Sequence, residues 1–565
     1  MFMLRAIYSY LLLIILAFDI NGRPNEEEIL YFVLPDRFSN GNIHNDRGFY
    51  SGTIKDHGFD PTNKGYYHGG DIEGLSNKLP YIKKLGVTAI WLAPIYKNKV
   101  LQGPPYDDST GYHGYWTTDF YQVDPHFGTN EEFKNFVTKA HNIGLKVYLD
   151  TIINHTADII KIEQCQTLEE PYKYCPYQYF ADSLEGDNNR YRPIIFPNEP
   201  VKNPPELNDP ILYNNRGDSN WYGEGSVYGD FSGLDDLDTT NPKVLKLMLE
   251  IHKFWISEFG IDGFRIDTVR HVNDSFWHQF LPEIYQFAES IGKKNFYIFG
   301  ESSYPEVELL ASYQKRSGFT HLLDFPFSRS SIDYLTEKIS GHEFHNIFAA
   351  DNVYKGGEKT VRQFPTFISN HDHGRIGHFL YKEDSFSQKV IEQKTILANV
   401  LLFTVRGVPT IYYGDEQGFV GDGWDKDARE DMFPSKVLSY VDNPTILGPS
   451  SEEDNFNEQH PLYLTISKLS ELRKSSTALK YGSQKTVFAS SNSGLYIFKR
   501  SSKNQTVLIG LNNSSEKWKG NLLIETNFSE IEDWHGVCSN KWDSKSKTLK
   551  NLDINSYEYF ICIFE

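Results

Sequence analysis

The chain is poor in cysteine: four in 565 residues, Cys165, Cys175, Cys538 and Cys562. None belongs to a CxxC or Cys/His cluster, which argues against structural zinc. Their grouping, two in one loop-rich region and two near the C-terminus, fits two local disulfides in an exported chain. Basic charge is also scarce. Lys and Arg number 56 against 75 Asp and Glu, a formal net charge of −19. No basic stripe is available to neutralise phosphates, so nucleic acid is excluded as a partner. Long apolar runs are nearly absent. Only Ala6 to Phe18, behind Arg5, is strongly apolar, and it is too short to cross a bilayer comfortably. It reads as the core of a signal peptide over residues 1–22. A secreted protein without stable membrane insertion is expected, with a signal anchor as the alternative. There is no internal repeat or low-complexity block.

Aromatic residues are abundant, at 15% with 36 Tyr and 39 Phe. Most such rings pack cores, but Tyr and Trp in polar, Gly-rich loops offer flat faces on which sugar rings stack. From about residue 29 to 470, short β-rich runs alternate with amphipathic helical stretches. The strand candidates are Ile29–Leu34, Val87–Leu92, Leu145–Asp150, Gly263–Asp267, Phe296–Gly300, His321–Phe325, Thr366–Ser369 and Thr410–Tyr413. This α/β alternation predicts a (β/α)8 barrel, a TIM barrel, over residues 23–470. The helix from Pro242 to Phe259 has Thr240 and Asn241 as cap candidates and Pro242 in its first turn. About 90 residues separate the third strand from that helix, too many for a structureless loop. They predict an inserted subdomain over about 156–240, at the rim where barrel active sites sit. From about 475 to 565, strand-like segments between Ser, Asn and Gly turns predict a C-terminal antiparallel β-sandwich. Sequons at Asn273, Asn504, Asn512, Asn513 and Asn527 would suit glycosylation in a eukaryotic host. The sequon at Asn154 falls in a motif expected to be buried.

The strand ends carry the chemistry. Strand three ends in DTIINHT with Asp150, Asn154 and His155, and strand four in GFRIDTVRH with Arg265, Asp267, Arg270 and His271. Strand five ends in FGES with Glu301, and strand seven in FISNHD with Asn370, His371 and Asp372. Polar groups gathered at one rim of a barrel read as catalytic. Arg265 and Asp267 are two apart and share one face of their strand. The arginine is expected to keep the aspartate ionised, as a nucleophile requires. Glu301 faces the same mouth, where burial and a nearby negative charge would raise its pKa for an acid role. Adjacent strands lie about 4.7–4.9 Å apart, compatible with the roughly 5–5.5 Å carboxyl separation of a retaining glycosidase.

These four segments resemble the signature regions of the α-amylase family of glycoside hydrolases. LDDLD at Leu234–Asp238, YHGYWTTDF at Tyr112–Phe120 and GVPTIYYGDE at Gly407–Glu416 are similar to further motifs of that family. The resemblance implies Asp267 as nucleophile, Glu301 as general acid/base and Asp372 as the third carboxylate, binding sugar hydroxyls. It implies that Arg265 orients the nucleophile, that His155 and His371 bond the reacting sugar, that Tyr112 stacks beneath it, and that Arg270 and His271 line the acceptor side. The family usually has lysine at the position of Arg270. The resemblance also implies Ca2+, held by Asn154, Asp236 and the His271 carbonyl between barrel and inserted subdomain. A second calcium loop is implied by SNGNIHND at 39–46, with Asn40, Asn42, Asn45, Asp46, Asp71 and the Gly69 carbonyl as ligands. The bland reading of that loop is an ordinary turn.

The expected activity is hydrolysis of internal α-1,4-glucosidic bonds of starch, glycogen or maltodextrin by a monomeric α-amylase. The alternatives are a cyclodextrin glycosyltransferase, a cyclomaltodextrinase-like enzyme, and an inactive membrane-anchored amylase-like subunit. Length favours the amylase, since the transferases normally carry two further C-terminal domains and cyclomaltodextrinases an extra N-terminal one. The presence of Asp267, Glu301 and Asp372 disfavours the inactive subunit.

Overall fold

The computed structural model describes residues 20–103, 108–165, 174–181, 190–449, 451–528, 530–536 and 538–565. The expected signal segment lies outside them except for its last three residues. Eight strands form one parallel sheet: β1 (Leu30–Val33), β2 (Ala89–Leu92), β3 (Lys146–Thr151), β4 (Gly263–Ile266), β5 (Tyr297–Gly300), β6 (His321–Leu322), β7 (Pro365–Thr366) and β8 (Val408–Tyr412). Their spatial order is β6-β5-β4-β3-β2-β1-β8-β7. The remaining gap is bridged where the N–H of Asp324, just past β6, donates to the carbonyl of Pro365 in β7 at 3.0 Å. The α/β barrel expected from the sequence is therefore present. β1 to β5 and β8 are buried at every position, as strands covered on both faces must be.

The helices take the places their patterns require. α1 (Asn130–Asn142) follows β2 and opens on a capping box between Thr129 and Glu132. α2 (Pro242–Phe259) begins at Asn241, whose side chain accepts from the Lys243 N–H, and ends at Gly260 in the left-handed region (φ 69°). Of the two cap candidates, Asn241 is the cap. α2 buries Val244, Met248, Ile251, Trp255 and Phe259, an i, i+3/i+4 stripe facing the barrel.

Most strand boundaries lie within two residues of the sequence expectation, but β6 and β7 each end three residues early. Phe325 opens a helix, α3 (Phe325–Leu335), instead of closing β6. The Asp324 carboxylate accepts from the Phe327 N–H and Pro326 occupies the first turn, so capping overrides the apolar run. Ser369 lies beyond β7, because Asn370 Oδ1 accepts from the N–H groups of Asp372 (3.1 Å) and His373 (2.6 Å) and folds SNHD into a turn.

Between β3 and α2 the described residues form two short ladders, His155–Thr156 with Asp235–Asp236 and Ile160–Ile162 with Pro193–Ile195, besides short helical turns. Buried Asp235 ties this region together, accepting from the N–H groups of Ile159 and Ile160 and from Lys202. A disulfide joins Cys165 to Cys175, with Cα atoms 5.3 Å apart. A second joins Cys538 to Cys562.

The C-terminal region forms two antiparallel sheets. β9 (Ser483–Ala489), β10 (Leu495–Ser501), β11 (Thr506–Asn512), β12 (Trp518–Leu523), β13 (Ile531–His535), β14 (Trp542–Asp543), β15 (Thr548–Ile554) and β16 (Tyr559–Phe564) are ordered β9-β10-β11-β16-β13 and β12-β15-β14. Leu495, Ile497 and Leu508 of the first sheet share an apolar cluster with Leu522, Leu549 and Leu552 of the second, which makes the pair a sandwich. Buried Arg500 in β10 donates to the carbonyls of Thr404 and Gly482, holding the sandwich to the barrel.

Candidate active site

The register of β4 sets the site. Arg265 is level with Asp150 on β3 and Phe299 on β5. Close strand approach is secured at Gly263, where a Cβ would stand 2.0 Å from the Tyr297 carbonyl oxygen. Past β4 and β5 the pairing continues: the Asp267 N–H donates to the Thr151 carbonyl and the Glu301 N–H to the Ile266 carbonyl, both at 2.9 Å. Two acidic residues of neighbouring strands thus emerge side by side. Arg265 joins them. Its Nη1 lies 2.8 Å from both Asp267 Oδ1 and Asp150 Oδ1, and its Nη2 lies 2.8 Å from Glu301 Oε2. Thr268 adds to both carboxylates, its N–H donating to Glu301 Oε2 (3.1 Å) and its hydroxyl to Asp267 Oδ2 (3.0 Å). Thr268 achieves this at φ 45°, a left-handed conformation that costs a β-branched residue of order 1–3 kcal/mol.

The cleft above these groups has a volume of about 870 Å³ and is lined by Tyr112, His155, Asp267, Glu301, His371 and Asp372, among others. Of the nine residues expected to act on substrate, eight line it, including Arg270 and His271. Arg265 lies beneath, fully buried. Asp372 is 37% exposed on its side chain and accepts from Arg429 at 3.1 Å. Arg429 also donates to the Tyr112 hydroxyl (3.0 Å) and the His371 carbonyl (3.0 Å). Arg270 Nε donates to His271 Nε2 at 3.1 Å, while His271 Nδ1 donates to the Ser226 carbonyl at 2.6 Å.

Burial governs the electrostatics. It pushes Asp267 well above the ordinary carboxylate range; Arg265 opposes the shift, and Glu301, Asp150 and Asp372 reinforce it. The expected pull of Arg265 toward the ionised form is present, but one guanidinium faces three acidic groups out of water, and desolvation works against it. Burial likewise raises Asp150 to about 6 against the pull of Arg265. The histidines move the other way. Burial lowers His155 to about 3 and His271 to about 4. It takes His371 well below its usual value, with Arg429 and Arg265 adding to the effect. Neutral imidazoles result, and two ring nitrogens, His155 Nε2 and His371 Nδ1, are buried without a hydrogen-bond partner among the described residues.

Two groups of oxygen donors lie near the barrel. In the first, Asn154 Oδ1 is buried and has no hydrogen-bond partner among the described residues. Asp236 is buried and held by Asn214 Nδ2 at 2.6 Å. Burial pushes Asp236 upward, with Asp230 and Asp238 adding to it and side-chain bonds from Asn214 and Asn154 opposing it. In the second, Oδ1 of Asn40 and Oδ1 of Asn45 are buried and have no hydrogen-bond partner among the described residues. Asn40 Nδ2 donates to Asp46 Oδ1 at 2.8 Å. Gly69, at φ +97°, packs so closely that a Cβ would meet Asp46 Oδ1 at 2.8 Å. Asp71 accepts from the N–H groups of Gly41, Asn42 and Gly74. The side chain of Asn42 turns back onto the His44 N–H at 3.1 Å.

Sequence reasoning assigned no role to Tyr115, Arg429 or Asp150. Tyr115 donates to Asp150 Oδ2 at 3.0 Å and accepts from His371 Nε2 at 2.8 Å. Asp150 also accepts from Trp91 Nε1 at 3.0 Å. The signal available was that Tyr115 lies in YHGYWTTDF and Asp150 at a strand end. Arg429 lies in a loop with no such cue.

A parallel barrel with carboxylates gathered around one arginine at the carboxyl ends of its strands defines a barrel enzyme with an acidic catalytic centre. The alpha amylase catalytic-domain family matches residues 32–482, and the chain belongs to the alpha-amylase family of glycoside hydrolases. An alpha-amylase of Streptomyces lividans is 44% identical over 475 residues, covering 80% of this chain and 51% of that one; the chain spans about half the length of that relative. The solved alpha-amylase of Anoxybacillus is 28% identical with a TM-score of 0.72, covering 96% of this chain and 99% of its own. A cyclomaltodextrin glucanotransferase with a three-domain ABC distribution is 27% identical with a TM-score of 0.71, covering 95% and 99%. The last match corrects the argument from length: a transferase too can have this architecture, so domain count does not separate hydrolysis from transfer.

Proposed function

We propose that the chain is a secreted α-amylase that hydrolyses internal α-1,4-glucosidic bonds of starch, glycogen or maltodextrins with retention of configuration. The observation that carries this is the sharing of Arg265 between Asp267 and Glu301 on neighbouring strands at the cleft floor. Asp267 attacks the anomeric carbon while Glu301 gives a proton to the departing glycosidic oxygen. Glu301 then takes a proton from water, which displaces Asp267 and releases the sugar with its original configuration. The cycle needs Asp267 as a carboxylate, to which Arg265 and Thr268 donate, and one proton carried by Glu301. Asp372, at the mouth, accepts from sugar hydroxyls. The unpartnered nitrogens of His155 and His371 suit the hydroxyls of the reacting sugar, and Tyr112 supplies its stacking face. The two disulfides support secretion.

A second reading, transfer to a sugar acceptor, is favoured by the likeness to the three-domain glucanotransferase. The glycosyl-enzyme is common to both; Arg270 and His271 stand on the side where water or sugar would enter. A product profile decides. Linear maltooligosaccharides from starch support the amylase, cyclic products the transferase, and preference for β-cyclodextrin or pullulan a cyclomaltodextrinase-like enzyme. The Asp267→Asn variant is expected to lose on the order of 10⁴-fold in kcat with an unchanged fold; near-normal activity would refute the nucleophile.

We further infer that both oxygen clusters take calcium, a hard cation that suits carboxylate and amide oxygens. The unpartnered amide oxygens of Asn154, Asn40 and Asn45 are what supports it. Asn154 and Asp236, with the His271 carbonyl, would tie the barrel to the inserted region. Asn40, Asn45, Asp46, Asp71 and the Gly69 carbonyl, with Asn42, would hold the second ion. When bound, the ions supply structural cross-links.

A further inference from the structure

A second cavity, of about 720 Å³, lies between the barrel and the C-terminal sandwich and shares no lining residue with the catalytic cleft. One wall is the helix Pro461–Ser475, which presents Thr465, Lys468, Leu472 and Ser475; their spacing of three and four puts them on one helix face. The opposite wall is the face of the β13–β16 pair. Tyr559 and Ile563 on β16 share that face by alternation. On β13 the register shifts between Asp533 and His535, a bulge that re-aims side chains. Trp534 and His535 consequently both line the cavity, although successive strand residues ordinarily point apart. His535 stacks on Tyr559 with ring centroids 4.0 Å apart and planes 11° apart.

The face is built of rings and ringed by unspent polar groups. Lys468, Glu471 and Glu532 line the cavity and make no ion pair among the described residues. The Trp534 indole N–H likewise has no partner there. A helix laid on a sheet normally closes its gap with interdigitated side chains; here the gap is left open with its aromatic floor accessible. Three carboxylates line it, Glu471, Glu532 and Glu565, and they exclude an anion. The hydroxyls of Thr465 and Ser475 are spent on helix carbonyls, but ammonium, indole and phenol donors intermixed with carboxylate acceptors suit a neutral polyhydroxylated ligand that needs both, while Trp534 offers a flat apolar face.

We propose that this groove is a non-catalytic binding site for an α-glucan chain, with Trp534 as its stacking platform and Glu532 and Lys468 as its main hydrogen-bonding groups. The proposal rests on the reading of the enzyme as an α-glucan hydrolase. Its role is to hold the polymer on the enzyme between cleavage events, an effect on effective concentration that short substrates would not feel.

The test compares the full chain with its Trp534→Ala and Glu532→Gln variants in two assays, with thermal melts confirming that all three fold. Adsorption to insoluble starch granules at low temperature is expected to fall about tenfold in Trp534→Ala and severalfold in Glu532→Gln. The kcat/KM on maltopentaose is expected to stay within about twofold of wild type. Unchanged adsorption in both folded variants would overturn the groove. An equal loss on maltopentaose would also overturn it, since the residues would then act on the catalytic cleft. Failure of the wild-type chain to cleave any α-glucan would instead refute the proposed function, a separate result.

Discussion

At the floor of the cleft one guanidinium serves three acidic groups. Arg265 is fully buried and within 2.8 Å of Asp150, Asp267 and Glu301. Removing it leaves buried charge uncompensated, so Arg265→Ala is expected to destabilise the protein by roughly 3–5 kcal/mol as well as abolish activity. Calorimetry checks this; an unchanged melting temperature would show that the cluster sheds its charge without help. The neighbouring imidazoles give a pH prediction. His155 and His271 have folded-state values near 3 and 4, lowered below the ordinary value by burial. Both therefore remain neutral from about pH 5 upward, and neither should contribute an inflection to kcat/KM between pH 5 and 8. His155→Asn is expected to raise KM while leaving the shape of that profile intact. A profile that loses its acid limb in this variant would mean that the imidazole titrates in the working range. At this scale the sequence was informative wherever a functional residue sits at a strand end, because the barrel fixes which rim that is. It could not supply Arg429, which reaches Tyr112 across 317 positions of chain, nor the balance between Arg265 and burial, which depends on how much water the fold excludes.

Among the elements, all eight strands lie where β-rich runs alternate with helical ones, and the differences fall at their ends. β6 stops at Leu322 because Asp324 caps the following helix, and β7 stops at Thr366 because Asn370 folds its own turn. In both cases a short polar side chain bonding nearby N–H groups beats apolar patterning, a local competition that periodicity does not register. The region between β3 and α2 depends on long-range polar links such as Asp235 with Lys202. It also contains the Asn154 and Asp236 cluster, so metal and fold should be linked there. Calcium at about 100 times its Kd is expected to stabilise the folded state by about 2.7 kcal/mol, and a chelator to remove that gain. Asp236→Ala should abolish the calcium response in a melting experiment. A calcium-dependent rise that survives in Asp236→Ala and vanishes in Asp46→Ala would assign the stabilisation to the second cluster alone.

For the whole molecule, the architecture is shared by hydrolases and by at least one glucanotransferase, and in the mechanism proposed above the outcome is decided by what enters the acceptor side after the glycosyl-enzyme forms. The central claim is that this intermediate forms on Asp267. The Glu301→Gln variant should accumulate it when given an α-maltosyl fluoride, whose leaving group needs no acid, because the base that would activate water is missing. Peptide mapping by mass spectrometry after acid quench then locates the sugar. The account predicts one maltosyl group on the peptide carrying Asp267, and a label on another residue, or turnover without any label and with inverted product, would contradict it.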